Sequence, residues 1–173
     1  MILIYFFMAI GLSMDAFSLS LAYGTNKISK NKIILLSLVV GLFHFFMPIT
    51  GSTIGEPLSK LISKANIVVG IIFIILAVEM FLSKDEENKI TITNIISIIV
   101  FAFTVSIDSF TVGIGLSLTN KNIIIPSIIF SITSFIFTFI GLILGKKISK
   151  TFGTKAIYLG MLILLVLGIK YLL

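Results

Sequence analysis

Six apolar runs, each near the roughly 20 residues that span a bilayer, limit the fold of this 173-residue chain more than any motif does. They cover about residues 2–23, 33–54, 67–82, 95–118, 123–144 and 156–173, and short lysine-bearing gaps separate them. Hydrocarbon offers peptide groups no water to bond, so runs of this length fold as helices that bond internally. Charged residues make up 12% of the chain, about half the roughly 25% of a soluble domain. Mean hydropathy is +1.22. The longest polar gap, around residues 83–88, is too short for a soluble domain. The reading is an all-α integral membrane protein with six transmembrane helices.

The net charge of +6 would suggest nucleic acid in a soluble protein. Here the basic residues, all lysines, sit at the ends of the runs, where they set orientation and meet anionic lipid. Lys27, Lys30, Lys32, Lys84, Lys89, Lys146, Lys147, Lys150 and Lys155 fall on one side, against Lys60, Lys64, Lys121 and Lys170 on the other. The positive-inside rule then puts the richer side in the cytoplasm and both termini outside. The first run lacks a basic leader region and carries Asp15, so it reads as a retained helix and not a signal peptide. With no cysteine in the chain, disulfides and thiolate sites for zinc or copper(I) are excluded.

Two of the runs contain nearly the same pentad, Ser13-Met14-Asp15-Ala16-Phe17 and Ser106-Ile107-Asp108-Ser109-Phe110. An ionised carboxylate at the bilayer centre costs roughly 2.5–3.5 kcal/mol on insertion scales. A chain that carries this cost twice, in one local sequence, has a use for both groups. The duplication extends further. Gly51-x-x-x-Gly55-x-x-x-Ser59-Lys60 recurs as Gly141-x-x-x-Gly145-x-x-x-Ser149-Lys150, and Gly70 maps onto Gly160 at the same offset of 90. Residues 1–82 and 93–173 therefore read as two three-helix repeats, joined by a charged cytoplasmic linker at 83–92. An odd number of spans per repeat inverts the second copy, and inverted repeats build their binding site near the midplane.

On the second run Gly41, His44, Pro48, Gly51 and Gly55 share one helical face, and the matching face of the fifth run is Ser131, Ser134, Thr138, Gly141 and Gly145. Such stripes let helices pack closely in lipid, and Pro48 frees a carbonyl that is either packed away or turned to an ion. His44, the one histidine, is either a bonded interior residue, a metal ligand or a proton relay. Ser13 and Ser106 flank the aspartates as supporting polar groups. Glu56 and Glu79 can reach the interface, and Asp85, Glu86 and Glu87 form a solvated loop. Two carboxylates with at most one imidazole suit a hard or borderline divalent ion such as Mn²⁺ or Mg²⁺. The expected metal set is thus Asp15, Asp108 and His44, with Ser13, Ser106, Pro48, Ser134 and Thr138 in support. Protonation of the emptied pair would lower its charge, which suggests coupling to H⁺.

Gly11-Leu-Ser-Met-Asp15-Ala-Phe17, Phe43-His44-x-x-Met47-Pro48-x-x-Gly51 and Val105-Ser-x-Asp108-Ser-Phe110-x-Val-Gly113 resemble the bacterial manganese efflux pump family, MntP-type. The likeness covers essentially the whole chain. It implies a multi-pass protein of the bacterial cytoplasmic membrane that exports Mn²⁺ as its substrate, with no resident cofactor and no enzymatic activity, and with Asp15 and Asp108 critical to transport. Some members carry an acid four residues before the proline, where this chain has His44. The short central loop resembles the pump branch rather than the sporulation-associated one. Export of another divalent ion or of a cationic amino acid is the alternative on the same architecture. Intramembrane aspartyl proteolysis also needs two aspartates, but its Tyr-Asp and Gly-x-Gly-Asp signatures are missing at Asp15 and Asp108.

Overall fold

The computed structural model describes residues 2–24, 28–59, 65–82, 95–119, 122–145 and 150–172. The expected linker 83–92 lies outside them, with Lys84, Asp85, Glu86, Glu87 and Lys89. So do Lys27, Lys60, Lys64, Lys121, Lys146, Lys147 and Ser149, as well as the side chains of Ser59, Glu79, Lys150, Lys155 and Gly160's surroundings. The described residues form seven helices: α1 (Ile2–Gly24), α2 (Lys30–Ser59), α3 (Ala65–Leu82), α4 (Ile95–Thr104), α5 (Ile107–Thr119), α6 (Ile124–Leu144) and α7 (Lys150–Leu172).

Within α1, α2 and α6 the stretches Ile2–Leu21, Lys30–Pro57 and Ile124–Leu144 are long and apolar enough to cross a membrane, and α4 with α5 makes a fourth such span if the bent pair counts as one. The apolar stretches of α3 and α7, Ile67–Val78 and Met161–Leu172, are shorter. The distribution of side chains is that of a protein in lipid. Ile34, Leu38, Leu42 and Phe46 of α2 face outward, whereas Ser37, Gly41, His44 and Pro48 face inward. A soluble protein rarely exposes a continuous apolar surface of this kind. Ser13, Ser20, Ser127, Ser134 and Thr138 are likewise fully buried.

The expected fourth span, 95–118, is not one continuous helix. It bends by 40° between α4 and α5. The Ser106 amide donates to the carbonyl of Phe103 at 3.2 Å, and its hydroxyl donates to the same oxygen at 3.1 Å. Both bonds tighten the turn to an i→i+3 pattern and interrupt the ordinary ladder. The matching stretch of α1 stays helical. It reads Leu12-Ser13-Met14 where the bend reads Val105-Ser106-Ile107, and β-branched residues hold a helix less well than Leu and Met.

Helix α1 packs on α6 and α7, α2 on α4, α5 and α6, and α3 on α5 and α7. The α1–α6 contacts climb together along both helices, from Ser13 with Ser134 through Phe17 with Phe137 to Gly24 with Gly145. The two helices therefore run the same way. Helices α2 and α5 do so too, since Gly51 meets Phe110 and Gly55 meets Ile114 and Ser117. An offset of 93 between the first and fourth runs, with 90 between the second and fifth, converts one seam into the other. Gly51 against Phe110 becomes Gly141 against Phe17, and Gly55 against Ile114 and Ser117 becomes Gly145 against Leu21 and Gly24.

The glycines of both seams admit main chain where a side chain would not fit. A Cβ on Gly113 would enter the backbone of Pro48, and one on Gly145 would meet the carbonyl of Leu21 and the Cα of Gly24 at 2.7 Å. On Gly115 it would meet the flexible tip of Ile72 at 3.3 Å and Val69 at an ordinary van der Waals distance of 3.7 Å. Gly113→Ala and Gly145→Ala should each cost about 1–3 kcal/mol, seen as a lowered thermal midpoint in detergent micelles. Gly115→Ala, two residues from Gly113, should leave that midpoint near wild type.

Candidate cation site

Asp15 and Asp108 are both half-buried. Around Asp15, Leu12, Met14, Phe17 and Leu21 belong to the cluster shared with α3, α5 and α7, whereas Ala16 belongs to the one shared with α2 and α4. Around Asp108, Val105 joins the second cluster and Val112 the first. The chain passes from one cluster to the other around Asp108, whereas around Asp15 it returns to the first at Phe17.

Their backbones differ. Asp15 sits within the continuous α1, whereas Asp108 lies in the first turn of α5, directly after the bend. Its Oδ1 accepts the amide of Ser109 at 2.6 Å. The unpaired amides and macrodipole at a helix N-terminus favour negative charge there. The bend therefore gives Asp108 an electrostatic environment that Asp15 lacks.

Helix α6 supplies the polar side of the α1 seam. Ser13 and Ser134 hydroxyls bond each other at 2.8 Å across the two helices, and both residues are fully buried. Most other helical hydroxyls turn back on their own backbone, as Ser37 does to Ile33 and Ser127 to Ile123. Ser20 and Thr138 do neither. Both are fully buried, with hydroxyls that have no partner among the described residues. Ser20 escaped the sequence reading, although it stands seven residues after Ser13 on the same face and its Cβ lies beside Gly141. In the other seam the positions matching Ser20 and Thr138 are Gly113 and Pro48, which close on each other. The Pro48 region is thus packed away against α5.

His44 is buried in α2. Its Nδ1 lies 3.0 Å from the carbonyl of Val40, and Nε2 has no partner among the described residues. A carbonyl can only accept, so Nδ1 donates, and in the neutral ring Nε2 is left as an unused acceptor. Among the described residues no three His, Asp or Glu groups come together as a metal site. The expected trio of Asp15, Asp108 and His44 is accordingly not assembled as one three-ligand centre. His44 is fully buried and bonds its own helix, while the aspartates are half-buried.

Apolar outer faces, buried hydroxyls and carboxylates within the helices define a multi-pass helical membrane protein with a polar interior. The family described as "Putative manganese efflux pump" matches residues 27–172. The chain is 36% identical over 168 residues to "Putative manganese efflux pump MntP" of Bacillus pumilus, an alignment covering 95% of this chain and 91% of that protein. A protein of the same name from Methanobrevibacter smithii is 36% identical over 172 residues, covering 95% and 93% respectively. The chain belongs to this manganese efflux pump family. No solved structure matches it.

Because a hydroxyl pair between membrane helices contributes about 0.6 kcal/mol on average, a double-mutant cycle with Ser13→Ala and Ser134→Ala should give a coupling energy of that order. Chemical unfolding of the purified protein in mixed micelles measures it. A coupling of zero would mean that the two hydroxyls do not act on each other.

Proposed function

We propose that this chain exports Mn²⁺ from the cytoplasm by alternating access, through six spans arranged as two inverted three-helix repeats, 1–82 and 93–173. The observation that carries this reading is the residue-level exchange of the two seams under the repeat offsets. Gly41 of α2 lies against Ser131 of α6, its own counterpart at an offset of 90, so the exchange axis passes between them. With α4 and α5 counted as one bent span, α1 and α6 become the first and fifth crossings, and α2 and α5 the second and fourth. In a chain that crosses six times, each of those pairs runs in one direction, in agreement with the contacts.

Asp15 and Asp108 are the cargo ligands in this reading, one from each repeat. Together they offer two negative charges, matched to a divalent cation, and oxygen donors suit Mn²⁺. Ser13, Ser106, Ser134 and Thr138 offer polar groups along the same seams, and Pro48 fixes the close α2–α5 approach. When the ion departs, two carboxylates in a low-dielectric interior repel each other, and taking up protons relieves that repulsion. This couples export to H⁺ entering in the opposite direction. The lysine distribution puts both termini outside and the 83–92 linker in the cytoplasm of the cell that carries the protein. The names of the relatives, manganese efflux pumps, support manganese as the cargo and outward as the direction.

In cells lacking their own manganese efflux, expression should lower intracellular manganese and restore growth at toxic concentrations. Asp15→Asn and Asp108→Asn should each abolish the rescue at unchanged protein level. Rescue by both asparagine variants would make the carboxylates structural. Export of a different cation with no effect on manganese would move the cargo assignment to the alternative divalent ion or cationic amino acid.

A further inference from the structure

The two repeats carry the same motif in two conformations. Helix α1 is continuous through Leu12-Ser13-Met14, and its counterpart is bent by 40° at Val105-Ser106. The hydrogen bonds differ in the same way. Ser13 bonds Ser134 across the α1–α6 seam. The counterparts of those two residues are Ser106 and His44, at offsets of 93 and 90. Ser106 instead turns its hydroxyl back to Phe103, and His44 Nε2 is buried with no partner among the described residues. Ser106 and His44 are nevertheless in register. Phe43 meets Phe103 just before them, at 6.3 Å between ring centroids, and Pro48 meets Gly113 just after.

We propose that Ser13–Ser134 and Ser106–His44 are a pair of alternating latches, closed one at a time as the two repeats exchange conformations. This rests on the inverted-repeat reading above and adds to it the moving element and the bonds that switch. In the exchanged state α4 and α5 join as one straight helix, and Ser106 leaves the Phe103 carbonyl to donate to His44 Nε2. At the same time α1 bends at Leu12-Ser13, and Ser13 leaves Ser134. The unpartnered acceptor on His44 is thus a bond made in the other state. A buried acceptor with no donor is costly wherever it persists, and the exchange supplies its donor.

The switch also moves charge preference between the aspartates. In the observed state Asp108 has the N-terminus of a broken helix beside it and Asp15 does not. Exchange gives that environment to Asp15 and withdraws it from Asp108, so the better anion site passes from one repeat to the other. The observed state is the favoured one because β-branched Val105 and Ile107 accept the bend better than Leu12 and Met14.

Since the chain has no native cysteine, the latches can be tested by cross-linking without background. In membranes treated with a permeant oxidant, Ser13→Cys/Ser134→Cys should bridge in the resting protein. His44→Cys/Ser106→Cys should bridge more slowly, with a rate that rises when Mn²⁺ is added. In the protein with all four substitutions, formation of either bridge should prevent the other. Adding Val105→Leu and Ile107→Met should shift cross-linking toward the second pair. Failure of the His44/Ser106 pair to bridge under any condition, or both bridges in one molecule, would overturn the proposal. Hydrogen exchange of the unmodified protein is a second measure, independent of cysteine variants. Mn²⁺ should change amide protection at 11–14 and at 104–107 in opposite directions, and parallel changes or none would count against exchange. Manganese export by the unmodified chain is scored separately. Export without the second bridge retains the cargo and ends the latch, whereas exclusive bridging without manganese export retains the latch and ends the cargo.

Discussion

Two seams of main chain packed directly on main chain hold this protein together. Lipid tails are as apolar as leucine, so burying apolar side chains between helices gains little in a bilayer. What remains is dispersion at short range and hydrogen bonds across the contact. The chain obtains both by placing glycines at Gly51 and Gly55 in one seam and at Gly141 and Gly145 in the other, where carbonyls of Phe110, Ile114, Phe17 and Leu21 come within reach. The outward isoleucines and phenylalanines follow from the same constraint, because the bulky residues the seams cannot admit are turned to lipid.

The seams are related in register but not in chemistry. Gly113 closed on Pro48 makes the α2–α5 seam tight and apolar at the level where Ser20 and Thr138 leave the α1–α6 seam polar. A polar lane therefore runs beside α1, from the Ser13–Ser134 bond to those two hydroxyls. The bend before Asp108 adds a second asymmetry, since it brings a helix N-terminus to one aspartate of an otherwise matched pair. A structure with identical halves would have no direction built into it. Here the two seams share contacts and differ at the bend beside Asp108.

Much of this was legible in the residues. Run length gave the helices, and the repeated Asp pentads and Gly-x-x-x-Gly stretches marked the positions that the seams later joined. Periodicity put His44 and Pro48 on one face with Gly41 and Gly51, and that face is buried. The bend at Val105-Ser106 was not read, because apolar periodicity continues through it. Its signal was the β-branched pair around a serine, weighed against Leu and Met in the other copy. Ser20 carries no repeat signal, since its counterpart in the other copy is Gly113 and the two positions do not match. The direction of the His44 ring was not legible, because sharing a helix face and a depth does not fix which way a ring turns. His44 gives one nitrogen to Val40 in its own helix.

In the proposed cycle Asp15 and Asp108 hold one Mn²⁺ between the repeats. Free Mn²⁺ gives a six-line electron paramagnetic resonance spectrum in solution that is lost on tight binding to protein. Titration of the purified chain in detergent should remove that signal up to one ion per chain. Asp15→Asn and Asp108→Asn should each leave it near the protein-free level while the helical circular dichroism is unchanged. Equal signal loss for wild type and both variants would contradict the claim.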